Sequence, residues 1–385
     1  MSGIVLSASV RQNLLSLQST AELLSTTQNR LATGNKVNSA LDNPTNFFTA
    51  QGLNNRANDI SNLLDSIGNG VQVLQAANTG LTSLQKLVDT AKSIANQVLQ
   101  SPVGYSAKST TTSATVVGPA SNLVDGVNIK SADTLTIAAT GGGTATSITF
   151  GASESLDQLN AALAANNVTA SLNSAGKLVF TTSNDAASST LGAVGGTAAA
   201  FTGVAAGAAP TADAASQAIR ANLVSQYNGI ISQITNTAQD ASFNGINLLN
   251  GDTLKLTFNE TGKSTLSITG VTYSAAGLGL ASLVSGTDFL DNTSANKVLT
   301  ALGSASTSLR TEASALGSNL SIVQIRQDFS KNLINVLQTG SSNLTLADTN
   351  EEAANSQALS TRQSIAVSAL ALANQSQQSV LQLLR

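Results

Sequence analysis

The sequence predicts a mainly α protein: long, paired, coiled-coil-like helices from both chain ends, a β-hairpin within the helical core, and a small α+β domain inserted between helices. Three observations predict it. Apolar residues recur in a 4-3 rhythm over both outer thirds of the 385-residue chain, the spacing that keeps one helix face against a partner helix. Between Ser101 and Pro210 the composition shifts to Thr, Ser, Gly and Ala with short β-branched runs. Charged residues make up only 10% and aromatics 3%, against about 25% charge in ordinary globular chains. Small neutral side chains suit a surface that more protein will cover.

The front helix carries Val10, Leu14, Leu17, Ala21, Leu24, Gln28 and Leu31 on one row and stops at Thr33-Gly34, with Gly where a positive φ is wanted. Asp42-Asn43-Pro44 restarts a helix with a cap followed by Pro. From Leu63, positions 67, 70, 74, 77, 81, 84, 88, 91, 95 and 98 read Ile, Gly, Leu, Ala, Leu, Leu, Val, Ala, Ala and Val, one long seam. In the insertion, strands are expected at Thr134 to Ala138, Ser147 to Phe150, Val168 to Leu172 and Lys177 to Thr182. A helix from Leu156 to Ala165 is capped by Ser155 with Gln158, and Asn173 to Gly176 turns a hairpin. Ile219, Leu223, Ile230 and Ile234 mark a further helix, and residues 252–274 a second hairpin. The returning helix passes from Ala295 through Leu302, Leu309, Leu316, Val323, Ile334 and Leu337, and the first long seam is its expected partner. The back helix starts at a capping box of Thr349 and Glu352 and runs through Leu359, Arg362, Ala366, Ala369, Ala373, Ser376, Val380 and Leu383. It is also apolar off that row, at Ile365, Val367, Leu370 and Leu372, so one neighbour cannot bury it all.

The chain has no His and no Cys, which removes imidazole acid-base chemistry, thiol catalysis, disulfides and the usual zinc sites. No catalytic residue, cofactor or metal is expected, and the chain reads as no enzyme. Gly277-Leu278-Gly279 and Gly141-Gly142-Gly143 lack the remainder of a phosphate loop and read as turns. A net charge of -3 without Trp offers nothing to a nucleic-acid backbone or base stack. Neither a signal peptide nor a membrane span is expected: the run Ile4 to Leu6 is too short, and the uncharged stretch between Asp185 and Asp213 is mostly Gly, Ala, Ser and Thr.

Arg30-Leu31-Ala32-Thr33-Gly34 with Val37-Asn38-Ser39-Ala40 and Asp42-Asn43, Phe243-Asn244-Gly245-Ile246 with Leu248-Leu249, and Ser368 to Asn374 with Gln378 to Arg385 together resemble bacterial flagellin. The resemblance implies terminal inner-tube helices at 1–44 and 345–385, a helical core at 45–100 and 211–344, and an outer domain at 101–210. It implies a subunit that assembles head-to-tail into an extracellular flagellar filament for swimming, exported without a cleaved signal. Val10, Leu14, Leu17, Leu24, Leu31, Ala366, Ala369, Ala373, Val380 and Leu383 would form the assembly seam. The partners implied are further copies of the chain, hook-associated and cap proteins, and an export chaperone. A hook-filament junction protein, or an adhesin using the inserted domain, is the alternative. Flagellins sensed by the vertebrate flagellin-sensing Toll-like receptor carry a Leu-Gln-Arg-Val-Arg-Glu-Leu-Ala type segment, and Leu84 to Ala91 aligns with it. Gln85, Lys86, Val88, Asp89 and Thr90 would face the receptor. With Lys86, Val88 and Thr90 in place of Arg, Arg and Leu, weak or no recognition is implied.

Overall fold

The structure, a computed structural model, describes residues 8–383 and divides into two compact units. The first comprises Met1–Asn69, Leu256–Leu266 and Ile322–Arg385; the second comprises Gly70–Lys255 and Ser267–Ser321.

In the first unit, helix α1 (Ala8–Thr33) packs along helix α6 (Thr349–Leu383). Helices α2 (Pro44–Gln100) and α5 (Asn292–Thr345) enter this unit with Ala57 and Ile60 buried against Leu337, flanked by Leu53, Leu333 and Ile334. Ser341 Oγ donates to the Ala50 carbonyl at 3.1 Å, a contact that only small side chains allow. The tip of a hairpin also belongs here. Its Glu260 accepts from Arg56 Nε at 2.8 Å, and its Phe258 ring lies 5.7 Å from the Arg326 guanidinium.

In the second unit the expected seam is the observed core. Leu74, Ala77, Leu81, Leu84, Val88, Ala91, Ala95 and Val98 of α2 are all buried, as are Ala295, Leu302, Leu309 and Leu316 of α5. Gly80 interrupts α2 where Ala would be a better helix former by about 1 kcal/mol. A Cβ there would sit 2.6 Å from Leu249 Cδ1 and 2.7 Å from Ala241 Cβ, so the glycine admits the 241–249 segment against the helix.

The next helix, α4 (Ala214–Asp240), buries Leu223, Tyr227, Ile231, Ile234 and Ala238. Its row departs from the expected one twice: Ile230 is half-buried where Ile231 is buried, and Ile219 is exposed where the neighbouring Arg220 is fully buried. An apolar count cannot find that residue. Its guanidinium donates to the carbonyls of Pro102 (2.7 Å), Phe289 (2.6 Å), Val98 (3.0 Å) and Ser101 (2.9 Å) and to Asn292 Oδ1 (3.3 Å). Val98 and Ser101 lie at the α2 C-terminus, whose carbonyls suit a cation.

The inserted segment holds β1 (Tyr105–Ala107), β2 (Thr110–Thr112), β3 (Thr134–Ile137), β4 (Thr146–Thr149), α3 (Leu156–Leu163), β5 (Val168–Leu172), β6 (Leu178–Thr182), β7 (Val194–Gly196) and β8 (Thr211–Ala212). They form two three-stranded sheets, ordered β2-β6-β5 and β4-β3-β7, over a core that includes Phe150, Phe180, Phe201, Leu135 and Leu159. The Ser155–Gln158 capping box is present, and Asn173 N donates to the Lys177 carbonyl across the expected turn. Four strands go beyond the expected set. β1 and β8 pair with each other, while β2 and β7 pair with longer neighbours. All four are two or three residues long, too short for period-2 alternation to register. β7 ends at Gly196 (φ 144°), where a Cβ would lie 2.0 Å from the Thr134 carbonyl oxygen. The second expected hairpin is β9 (Thr253–Thr257) with β10 (Thr265–Thr269).

Candidate assembly surface

The surface of interest lies on the first unit and begins where the terminal helices meet the chain's connecting segments. α1 ends with Gly34 at φ 71°. The chain then pairs with the segment before α6: Lys36 N donates to the Thr345 carbonyl at 2.7 Å and Ala347 N to the Gly34 carbonyl at 2.9 Å. Asp42 closes the following turn, its carboxylate accepting from Asn38 N (2.9 Å), Ser39 N (2.8 Å) and Ser39 Oγ (3.1 Å). These donors, the Ser39 N–H first, hold the Asp42 carboxyl below its ordinary range. Asn43 Oδ1 then accepts from Asn46 N at 3.0 Å and caps α2.

The start of α6 corrects an expectation. The cap is Asp348, whose carboxylate accepts from Asn350 N (2.9 Å) and Glu351 N (3.3 Å), so Thr349 is the first helical residue and forms no capping box with Glu352. Glu352 is buried and pairs with Arg30 Nη1 at 3.2 Å, tying the end of α1 to the start of α6. The sequence pattern S/T-x-x-E fits both arrangements, and the upstream Asp is the stronger cap.

The seam residues fall into groups. Val10 is buried, Leu17, Leu24, Ala366 and Ala373 are half-buried, and Leu14, Leu31 and Ala369 are exposed. The side chains of Val380 and Leu383 lie outside the described residues. The contact row runs one position off the expected row at several places: Thr27 is buried instead of Gln28, and Leu370 is half-buried instead of Ala369. Apolar residues stand on both sides of the 4-3 row here, so spacing alone leaves the choice open by one residue. Ile365, Val367 and Leu372 remain exposed, as the off-row reading expects.

A second apolar row was not legible as such. Ile322, Ile325, Phe329 and Val336 of α5 are all exposed, at a spacing of three, four and seven, beside the inner row of Val323, Ser330 and Leu337 that is buried. Leu41 and Phe48 add exposed apolar surface near the start of α2. The signal was present in the sequence as apolar residues on two faces of one helix, the pattern the back helix shows.

Two sequence profiles match, one at each end. The bacterial flagellin N-terminal helical region matches residues 6–114, and the bacterial flagellin C-terminal helical region matches residues 299–384. This chain belongs to the bacterial flagellin family. It is 35% identical over 168 residues to each of two Caulobacter vibrioides proteins, flagellin FljM and flagellin FljK, an alignment taking in 42% of this chain and 59% of each of them. To a flagellin of Brucella melitensis it is 27% identical over 177 residues, or 43% of this chain and 61% of that one. The chain thus spans about three fifths of the length of these flagellins. Among the described residues, no helix is long and apolar enough to cross a membrane.

The segment aligned with the receptor-sensed flagellin motif needs a correction. Val88 is fully buried in the α2 seam and cannot face a receptor. Its heptad position turns it inward with Leu84 and Ala91. Lys86, Asp89 and Thr90 are exposed; Gln85 is half-buried, with Nε2 donating to Ser306 Oγ at 2.8 Å and to Asp89 Oδ1 at 3.1 Å.

Proposed function

We propose that this chain is the structural subunit of a bacterial flagellar filament, assembling head-to-tail with copies of itself and lying outside the cell in swimming motility. One observation carries the reading: the helices of the first unit keep regular apolar rows exposed on faces that their own partners do not cover. Contiguous exposed apolar surface marks an interaction site. A patch that binds a different patch on the next copy generates an open helix when the rotation does not close. A charged fraction of 10% keeps repulsion between closely packed copies small.

In this reading 1–44 and 345–385 line the inner tube, 45–100 and 211–344 form the surrounding core, and 101–210 is outermost. The role is structural and not enzymatic. Hook-associated and cap proteins and an export chaperone complete the partners, and recognition by the flagellin-sensing receptor is weak because exposed Lys86 and Thr90 stand where Arg and Leu are wanted. Negative-stain microscopy of the purified chain after seeding or added salt tests the assembly. Uniform fibres are expected; a chain that stays monomeric under every such condition overturns it.

A further inference from the structure

We propose that the inserted domain is latched to the helical core at a third point, the Ser188–Asp291 hydrogen bond, and so rides at one fixed angle instead of swinging on its root. The root alone is a weak support. β1 has three residues and β8 two, their register is irregular between Tyr105 and Ala107, and a two-stranded ribbon is marginal by itself. Two adjacent crossings of the chain leave a domain free to tilt about the line that joins them. A third point off that line removes the tilt.

Ser188 Oγ donates to Asp291 Oδ2 at 2.5 Å, the short length of a hydroxyl bonded to a carboxylate. Five residues on along α5, Asn296 Nδ2 reaches Asp185 Oδ1 at 3.5 Å, and Lys108 Nζ, just past β1, donates to Asn184 Oδ1 at 2.9 Å. Both halves of the latch are preset. On the inserted side Ala186 and Ala187 are fully buried, and Ser183 Oγ accepts from Asp185 N at 3.2 Å. Gly141 (φ 55°) makes room for that turn, since a Cβ there would lie 2.4 Å from Ala186 Cβ. On the core side Asp291 Oδ1 accepts from Ser294 N at 3.2 Å at the start of α5, while the Phe289 carbonyl and Asn292 Oδ1 hold Arg220. Partners already ordered lose little entropy on meeting, so one charge-assisted bond is enough to set the angle. The latch stands whether or not the chain assembles; in a filament, every copy presents its outer domain at the same inclination.

The chain contains no Cys, so spin labels enter only at chosen points. Ser174→Cys on the inserted hairpin and Gln226→Cys on α4, both at exposed positions, carry the pair. Pulsed electron resonance on the frozen, unassembled chain reads their distance distribution, so the outcome is separate from that of the assembly test. One narrow peak is expected. Ser188→Ala deletes only the hydroxyl, and loss of a hydrogen bond to a charged acceptor should raise the unlatched fraction by about tenfold or more. The peak should then broaden, with the helical circular dichroism unchanged. A broad distribution in the parent chain, or a peak as narrow in Ser188→Ala as in the parent, overturns the latch.

Discussion

Arg220 is buried among carbonyl oxygens instead of carboxylates, so its charge is balanced by backbone dipoles from two separate stretches of chain. Replacing it with Met takes the donor from the Ser101, Pro102 and Phe289 carbonyls, while Val98 keeps its bond from Ser101 N, and each orphaned acceptor costs about 1–3 kcal/mol. Arg220→Met should therefore lower stability by about 3 kcal/mol or more, seen as accelerated hydrogen exchange at the end of α2 and through α4. Arg220→Lys should fall between the two, since an ammonium cannot span the acceptors a guanidinium reaches. Gly80 makes the opposite point about propensity. Gly80→Ala gains about 1 kcal/mol of helix preference but forces contacts of 2.6–2.7 Å onto Leu249 and Ala241, the second of which cannot rotate away. Overpacking of that kind costs about 1–3 kcal/mol, so a lower urea midpoint for the second unit is expected in spite of the better helix former.

Among the elements, β1 and β8 close the root of the inserted segment, with Tyr105 opposite Ala212 and Ala107 opposite Thr211. A link made at the composition shift, from Gln100 to Thr211, would remove Ser101 and Pro102, two of the carbonyls that hold Arg220. Joining Ala107 to Thr211 by a short Gly/Ser turn keeps them. That shortened chain should retain the helical circular dichroism of α2, α4 and α5 and still form filaments; folded chain unable to assemble would make the insertion a structural contact. Long elements were legible in the sequence because their rows repeat many times: the α2 seam from Leu74 to Val98 is buried as its spacing required. The rest was hidden for definite reasons. β1, β2, β7 and β8 are too short to show a period, Arg220 is polar in an apolar row, and the α1–α6 row is flanked by apolar residues that blur its register. Of the candidate surface, the exposed face of α6 was readable, whereas the outer row of α5 needed the inner row to be placed first.

For the molecule as a whole, the absence of His leaves no unperturbed side chain that titrates between pH 5 and 8, so the unfolding midpoint should be flat from about pH 6 to 8. Asp42 and Asp213 have carboxyls held below the ordinary 3.8, the latter by Ser216, first through its hydroxyl and then its N–H. A depressed folded value gives stability that is present above the unfolded value and is lost as pH falls through the folded one, so acid weakening should begin only below about pH 4. Tyr227 is pushed up to about 12 by burial. That contribution is complete below the unfolded value near 10 and fades as pH climbs toward 12, placing the alkaline limit there. Chemical denaturation across pH 2 to 12 checks all three limbs, and a midpoint that moves between pH 6 and 8 would contradict the assignment. The cage around Arg220 also sets a clock. It joins residues 98 to 102 with 289 and 292 across as many as 122 positions of chain, so a polypeptide emerging front end first leaves the cage incomplete until Phe289 and Asn292 have appeared. The second unit therefore closes late and all at once, and the growing chain stays pliable for as long as it is still being delivered.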